Sequence, residues 1–249
     1  MSQPSRRKLI TAGLAGASGL AVAAKLAGDQ GLLPPDAKGI YGPGEILNYA
    51  THRLVSRHAM AREFAPAQIS NPPYVNGPPP KDETFLRHQS EGFANWKLTV
   101  DGLVALPAAF SLADLKSHPS RSQITHLACE EGWSYIAEWK GVPLSQVLEL
   151  AGVKATAKYV VYFSLQGDWW DSVDLDEANH PQTLVAYGLN GSDLPVGNGG
   201  PLRMRVPRQL GYKSVKYITR LTVTDSLKGF GKGLGSASPE AGYSWYAGI

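Results

Sequence analysis

The chain has 249 residues, of which 43% are hydrophobic and 18% charged, and this apolar content is too high for an intrinsically disordered protein. Its 27 glycines follow no period, which excludes a collagen-like chain, and together with 18 prolines they argue against a helix bundle. The net charge of +3 arises in the first 28 residues, which carry four basic side chains and no acid, so the rest of the chain lacks the positive excess typical of nucleic-acid binding.

The first 28 residues have the composition of a targeting peptide. The pair Arg6-Arg7 precedes a run of small apolar residues over 11–24, which is shorter than the roughly 20 apolar residues that a membrane-spanning helix needs. An ordinary amphipathic helix is one interpretation. The pattern also resembles a twin-arginine export signal, which implies the Tat export machinery as a partner, a periplasmic location and folding around a cofactor before export.

A proline- and glycine-rich segment follows over residues 29–84. Repeated Pro-Pro and Gly-Pro pairs interrupt any regular period, so we expect an irregular lead-in that lies across the domain. One short helix is predicted within it, near Ile46–Met60. The folded domain is then predicted over 85–249.

The domain sequence predicts short strands and short helices in mixed order. Lys97–Val100 alternates as a strand, Asp101-Gly102 follows as a hairpin turn, and Ser111 caps a short helix. Without a regular βαβ rhythm, this mixture indicates an α+β fold. The further predicted elements are a strand over Ile124–Cys129, a helix over Leu144–Ala151 that ends at Gly152, a strand over Tyr159–Leu165, a short helix over Asp174–Asn179, and strands over Leu202–Val206 and Tyr217–Val223.

Cys129 is the only cysteine, so an intramolecular disulfide is impossible. It ends a predicted strand and precedes Glu130, Glu131 and the run Gly132-Trp133-Ser134, which places the thiol on a polar turn. In an oxidising compartment a lone thiol is a liability unless it is buried or bound. This position therefore indicates a nucleophile or a metal ligand.

Two chemistries compete for this thiol. A cysteine nucleophile needs a nearby base and a positive environment, whereas two glutamates follow Cys129 and His126 points to the opposite face of the strand. A soft metal fits better, because its charge deprotonates the thiol. Zinc and iron–sulfur clusters need two to four such protein ligands. The metal would therefore bring ligands of its own.

Four spaced segments of the domain share a pattern with a known enzyme superfamily. They are Cys129–Ser134 with Trp139–Leu144, Asn198–Arg203 with Val206-Pro207, Ser214-Val215-Lys216, and Phe85–Gln89, and an aromatic end, Tyr243–Ala247, follows them. Together they resemble the molybdopterin-binding domain of the sulfite oxidase superfamily. The similarity is closest to the branch of the periplasmic protein-methionine-sulfoxide reductase catalytic subunit. The resemblance implies a single α+β domain of the sulfite-oxidase type.

The resemblance also implies a molybdenum–molybdopterin cofactor with Cys129 as the protein ligand to Mo. A guanidinium, an ammonium and free backbone N–H groups suit the phosphate of the pterin, although Arg203 and Lys216 taken alone are typical of solvated strand charges. The family usually has Asn at the position of His88. The implied pterin contacts are Arg87, His88, Ser164, Asn198, Arg203, Ser214, Val215 and Lys216.

The residues after Cys129 bear on the substrate. Sulfite oxidases follow their cysteine with Gly-Asn-Arg, and that arginine helps to hold sulfite, whereas this chain has Glu130 and Glu131. A carboxylate near the metal repels an anion, so we expect reduction of a neutral sulfoxide or N-oxide, either small or protein-borne. Glu131 matches a glutamate of the reductase branch and is the second predicted catalytic residue, with an orienting or proton-supplying role.

Electrons are expected from a separate partner, either a membrane haem protein or a cytochrome, and the chain is expected to act as a monomer. Three alternatives stay open. They are sulfite oxidation with an external cytochrome acceptor, a metal-free binding protein on the same fold, and a cysteine-nucleophile hydrolase.

Overall fold

The computed structural model describes residues 43–165, 167 and 169–249, together with positions 22, 25–28 and 32–33. The predicted export signal over 1–28 therefore lies almost entirely outside the described residues. Across the described part of the chain, no helix combines the length and the apolar character needed to cross a membrane.

Short helices and strands are interspersed along the described chain. The helices are α1 (Pro43–Ser56), α2 (Glu83–Ser90), α3 (Leu112–Ser117), α4 (Leu144–Ala151) and α5 (Leu175–Ala178). The strands are β1 (Lys97–Gly102), β2 (Ala108–Ser111), β3 (Arg121–Ala128), β4 (Ser134–Pro143), β5 (Tyr159–Ser164), β6 (Trp170–Asp174), β7 (Leu184–Leu189), β8 (Ser192–Asp193), β9 (Arg203–Arg205) and β10 (Ile218–Thr224).

The strands form two sheets. One has the order β2-β1-β10-β5-β6, in which β1 and β10 are parallel and the other neighbours antiparallel. The other has the order β3-β4-β7-β8, and β9 also pairs with β7. Buried side chains from both sheets and from α4 form one hydrophobic core. The mixture of short helices and mostly antiparallel strands confirms the predicted α+β fold.

The predicted elements occur with ends that differ by a few residues. The helix expected near Ile46–Met60 is α1, and the predicted domain boundary before residue 85 falls inside α2 and stays a prediction. The hydroxyl of Ser111 accepts from Asp114 N, which confirms it as the cap of α3. Asp174 caps α5 in the same way.

The hairpin predicted after Lys97 is confirmed, but its turn lies later than expected. β1 continues through Gly102, because Asp101 and Gly102 pair with Thr222 and Val223 of the parallel neighbour β10. Gly102 has φ +85°, and a Cβ atom there would meet the Val223 carbonyl oxygen at 2.1 Å. The chain therefore turns in the loop before β2 and not at Asp101-Gly102.

Helix α4 has the predicted bounds. Its residues Leu144, Val147, Leu148 and Ala151 are buried, which confirms the apolar stripe seen in the sequence. Gly152 ends the helix in the left-handed conformation with φ +67°.

A substitution at Leu148 measures how much α4 contributes to the stability of the core. Its side chain is 2% exposed, so Leu148→Ala is expected to lower the free energy of unfolding by about 2–5 kcal/mol, because a cavity replaces packed atoms. Leu150→Ala on the same helix, at 41% exposure, is expected to cost less than about 1 kcal/mol. Urea denaturation measures both values, and equal losses would contradict this packing.

The strand predicted over Leu202–Val206 is shorter and more buried than its pattern indicates. Alternating arginines and apolar residues are typical of a strand with one solvated face. In the structure, Arg203 and Arg205 of β9 are only 4% and 0% exposed. The interpretation of Arg203 as a solvated strand charge is therefore wrong, because β9 pairs with β7 and is covered on both faces.

Candidate active site

A cavity of about 410 Å³ opens where the end of β3, the turn before β10 and two outer segments meet. The outer segments are residues 76–78 of the lead-in and the residues near Tyr243. Seven of the predicted site residues line this cavity, namely Cys129, Glu131, Ser164, Arg203, Ser214, Val215 and Lys216.

Cys129 lies one residue beyond β3, on a tight turn. Gly132 N donates to the Cys129 carbonyl oxygen at 3.1 Å, and Cys129 N donates to the Trp133 carbonyl oxygen at 3.0 Å. The thiol donates to Oε2 of Glu130 at 3.1 Å, whereas Oε2 of Glu131 lies 3.9 Å from Sγ. The predicted polar turn is therefore present, and its nearer carboxylate belongs to Glu130.

The surroundings of Cys129 keep its thiol protonated. Partial burial, together with the carboxylate of Glu130, raises the pKa of the Cys129 thiol to about 12. A thiol with this pKa is a poor nucleophile at neutral pH. A bound soft metal cation replaces the proton by its own charge. The raised pKa therefore disfavours the cysteine-nucleophile hydrolase.

The carboxylate of Glu131 is fixed from two sides. Trp133 Nε1 donates to its Oε2 at 2.7 Å, and Asn76 Nδ2 donates to the same oxygen at 3.1 Å. Tyr74 stacks on Trp133 with ring centroids 4.8 Å apart. Sequence patterns do not indicate this part of the cavity wall, because the contact from Asn76 joins residues 55 positions apart.

Arg203 and Lys216 form the positive side of the cavity and pair across an antiparallel bridge. Arg203 donates to the carbonyl oxygens of Ser214 and Asn198 at 2.8 and 2.9 Å. Lys216 Nζ donates to two loop carbonyl oxygens at 2.6 and 2.7 Å. Among the described residues, neither cation has an acidic partner within ion-pair distance.

These two cations fit the phosphate of a pterin. Burial, and then the charge of Arg203, lower the pKa of Lys216 to about 7. A phosphate dianion would offset both effects and accept hydrogen bonds from a guanidinium and an ammonium. The donor set of the cavity therefore suits a ligand that carries a phosphate.

Four more predicted contacts lie at the cavity or directly behind it. Ser164 ends β5, and Ser214 and Val215 lie in the turn that leads to Lys216. Asn198 is 3% exposed and does not line the cavity; its Nδ2 donates to the Tyr74 carbonyl oxygen at 3.0 Å. Asn198 thereby connects the lead-in to the loop before β9, and its own carbonyl oxygen accepts from Arg203.

Arg87 and His88 are not brought into the cavity. Both lie on α2, which contacts the wall of the cavity through Phe85, whose ring centroid is 5.2 Å from that of Tyr217. Arg87 comes two residues after Phe85 and is rotated from it by about 200°, so it points away from this contact, whereas His88 comes three residues after Phe85 and lies on nearly the same face of α2. Arg87 is exposed, and His88 packs against Trp96 with ring centroids 5.3 Å apart.

The cavity also has aromatic walls that the site prediction omitted. Trp133, Tyr212 and Tyr243 line it, and the rings of Tyr212 and Tyr243 stack with centroids 5.2 Å apart. Tyr212 Oη donates to the Ser244 carbonyl oxygen at 2.6 Å, which fixes the C-terminal segment beside the cavity. The aromatic run at the chain end is the sequence signal that could have found Tyr243.

The sequence of the chain is also similar to a known protein family. The sequence profile of the family described as oxidoreductase molybdopterin binding domain matches residues 86–229, more than half of the chain. The matched range contains Cys129 and both cavity cations.

Two curated relatives carry related names. A provisionally named protein-methionine-sulfoxide reductase subunit YedZ1 from Azospira oryzae is 39% identical over 155 residues, which cover 62% of this chain and 56% of the relative. The protein-methionine-sulfoxide reductase catalytic subunit MsrP from Ralstonia nicotianae is 32% identical over 206 residues, with 68% of this chain and 62% of the relative covered. The chain thus spans less than two thirds of the length of either relative.

A solved structure shares the fold. The sulfane dehydrogenase SoxCD from Paracoccus pantotrophus superposes with a TM-score of 0.56 at 22% identity, over 68% of this chain and 46% of that chain. At this identity the likeness concerns the fold alone.

Proposed function

This chain belongs to the oxidoreductase molybdopterin-binding domain family of the sulfite oxidase superfamily, and from that premise we propose that it reduces a neutral sulfoxide or N-oxide at a molybdenum centre ligated by Cys129. Its cofactor is molybdenum–molybdopterin. The observation that carries the proposal is the thiol of Cys129 in one cavity with two cations that have no acidic partner among the described residues.

Different residues of the cavity bind different parts of the cofactor. Arg203 and Lys216 hold the phosphate, and the turn containing Ser214 and Val215 adds backbone and hydroxyl groups. Ser164 contacts the pterin, and the carbonyl oxygen of Asn198 positions Arg203 by accepting from its guanidinium. In this assignment Arg87 and His88 support the site from α2 without touching the cofactor.

The bound molybdenum centre supplies two-electron oxygen-atom transfer. Reduction of a sulfoxide takes up two electrons and two protons and releases a sulfide and water. Trp133 and Tyr243 offer aromatic surface to the alkyl groups of such a substrate. Glu130 and Glu131 place negative charge beside Sγ and so disfavour anions such as sulfite. Proton supply by Glu131 stays a prediction.

Glu131→Gln tests the exclusion of anions. A glutamine oxygen can still accept from Trp133 and Asn76, so the change removes charge and keeps the wall. We expect the KM for sulfite to fall by about tenfold, because one repulsive charge near the metal disappears. The control is Glu138→Gln on β4, which does not line the cavity. An unchanged ratio of sulfite to sulfoxide KM would refute this role.

We also propose that the chain works in the periplasm after export by the twin-arginine route, with electrons from a separate haem-containing partner. The names of the two relatives, which call them subunits, support a partner of this kind. A monomeric catalytic chain stays a prediction, as does the division into 1–28, 29–84 and 85–249.

The full chain, produced in a host that synthesises the cofactor, tests the reaction. We expect about one Mo per chain by elemental mass spectrometry and oxidation of a reduced dye by methionine sulfoxide, dimethyl sulfoxide or an amine N-oxide. Sulfite oxidation that exceeds all of these would reverse the direction and support the sulfite dehydrogenase alternative. Absence of Mo with cofactor supply verified would support the metal-free binding protein.

A further inference from the structure

Several polar side-chain atoms are buried between β4 and β9, outside the cavity. In the described part of the chain, nine buried side-chain nitrogen and oxygen atoms have no hydrogen-bond partner. Four of them belong to three side chains that pack together. They are Oη of Tyr135, Nε1 of Trp139, and Nε and Nη1 of Arg205.

The three side chains form one buried cluster. Tyr135 and Trp139 are four residues apart on β4, so both point to the same face, and their ring centroids are 6.0 Å apart. The guanidinium carbon of Arg205 lies 5.3 Å from the centroid of the Trp139 ring. Tyr135 is 3% exposed, and Trp139 and Arg205 are fully buried.

The charge of Arg205 is uncompensated. Its Nη2 donates to Oγ1 of Thr125 at 3.1 Å and to the His126 carbonyl oxygen at 2.6 Å, which are neutral partners. No acid of the described residues pairs with it. Arg203 brings a second guanidinium to 5.5 Å from the same indole ring. Burial lowers the pKa of Arg205 to about 9, with Arg203 adding to the decrease. A buried charge without a counterion is strongly unfavourable.

We propose that Arg205, Tyr135 and Trp139 bind a small monovalent inorganic anion of the halide type. Two of the four unpartnered atoms belong to the charged guanidinium itself, and the other two belong to the aromatic side chains packed with it. An anion held between these side chains would accept their hydrogen bonds and neutralise the charge. A water molecule can accept two of these hydrogen bonds, but it carries no charge and would leave Arg205 uncompensated. The unpartnered donors of Arg205, Tyr135 and Trp139 need a hydrogen-bond acceptor, which an anion provides.

This site is distinct from the cofactor cavity, since none of its three residues lines that cavity. Arg203 and Arg205 contact the same indole ring, and Arg205 donates to β3, which ends one residue before Cys129. The anion neutralises Arg205, so that Arg205 can hold the backbone of β3 without adding repulsion to Arg203. The inference does not require molybdenum on Cys129, so its test is independent of the proposed reaction.

Anomalous diffraction identifies the anion directly. The full chain with its cofactor is purified and crystallised with bromide as the only halide, and data are collected at the bromine edge. We expect one buried anomalous peak within hydrogen-bonding distance of Arg205 and of at least one of the two aromatic donors. Ordered water or empty density between these three side chains, with bromide only on the surface, would overturn the proposal.

A solution measurement uses linkage between binding and stability. We expect the urea midpoint of the wild type to rise when bromide replaces gluconate at constant ionic strength, because bound anion stabilises only the folded state. Arg205→Met should abolish this response. Arg121→Met, which removes a partly exposed arginine of β3, should retain it, and so should Lys216→Met, which removes a cation of the cavity. Loss of the response in Lys216→Met with retention in Arg205→Met would assign the anion to the cavity and refute the buried site.

Discussion

We expect Cys129→Ser to lower sulfoxide turnover by at least about a hundredfold, because a soft thiolate ligand is replaced by a hydroxyl that a neighbouring carboxylate keeps protonated. Serine has nearly the same size, so the turn between Gly132 and Cys129 should persist. Molybdenum per chain and the Mo(V) resonance are the measurements. We expect lost metal or an altered resonance, together with lost turnover.

The stability of Cys129→Ser shows whether the variant keeps the wild-type fold. The backbone hydrogen bonds around Cys129 do not involve Sγ, so the urea midpoint of Cys129→Ser should stay close to that of the wild type. Wild-type turnover with an unchanged Mo(V) resonance would remove Cys129 from the metal site. Rapid alkylation of Cys129 in the native, cofactor-loaded protein would support the hydrolase alternative, since a metal-bound thiolate should resist alkylation.

We expect Arg203→Met and Lys216→Met each to weaken cofactor binding by about tenfold to a hundredfold, because each removes charge-assisted hydrogen bonds to a phosphate, worth about 1.5–3 kcal/mol. Cofactor content is measured as Mo per chain and as the fluorescence of the released, oxidised pterin. The double variant should lose most of its cofactor. Lys216→Arg should retain more of it than Lys216→Met, because the positive charge is kept.

A neighbouring arginine provides the matched control. Arg220 is an exposed residue of β10, the strand that follows Lys216, and its guanidinium carbon lies 4.1 Å from the ring centroid of Phe163. Arg220→Met should leave cofactor content unchanged. Equal cofactor content in Arg203→Met, Lys216→Met and the wild type would show that the phosphate binds elsewhere.

The two predictions separate metal from pterin. Loss of Cys129 removes a ligand from Mo and leaves the phosphate contacts, so pterin can stay bound while turnover is lost. Loss of Arg203 or Lys216 removes pterin and metal together. All three variants could instead be less stable than the wild type and still bind a full complement of cofactor. That result would assign purely structural roles to the three residues.

Several elements and part of the site could be predicted from local sequence. Helix α4 shows its apolar spacing and its terminal glycine within nine residues, and Ser111 marks the start of α3 in the same local way. The polar turn after Cys129 follows from a strand that ends before two glutamates and a glycine. The spacing between Arg203 and Lys216 matches a family pattern, and the structure pairs these residues across a bridge.

Other strands could not be predicted from such patterns. β7 is buried along its whole length, so it lacks the alternation of a half-exposed strand, and β4 begins within the segment that reads as a turn. The burial of Arg203 and Arg205 has the same origin. Alternation in sequence indicates that two faces differ, but pairing with β7 decides whether either face meets water.

The amino-acid sequence by itself determined the α+β class, the lone thiol on a polar turn, and the order of segments that a molybdopterin-binding domain requires, because these depend on local spacing and residue chemistry. Only the tertiary structure decided that Asn76 lines the cavity, that Tyr74 stacks on Trp133 of its wall and that Arg87 and His88 stay outside it. It also decided that Arg205 is buried without a counterion among the described residues. These features arise from contacts between residues far apart in the chain, whose free energy depends on which surfaces meet after folding.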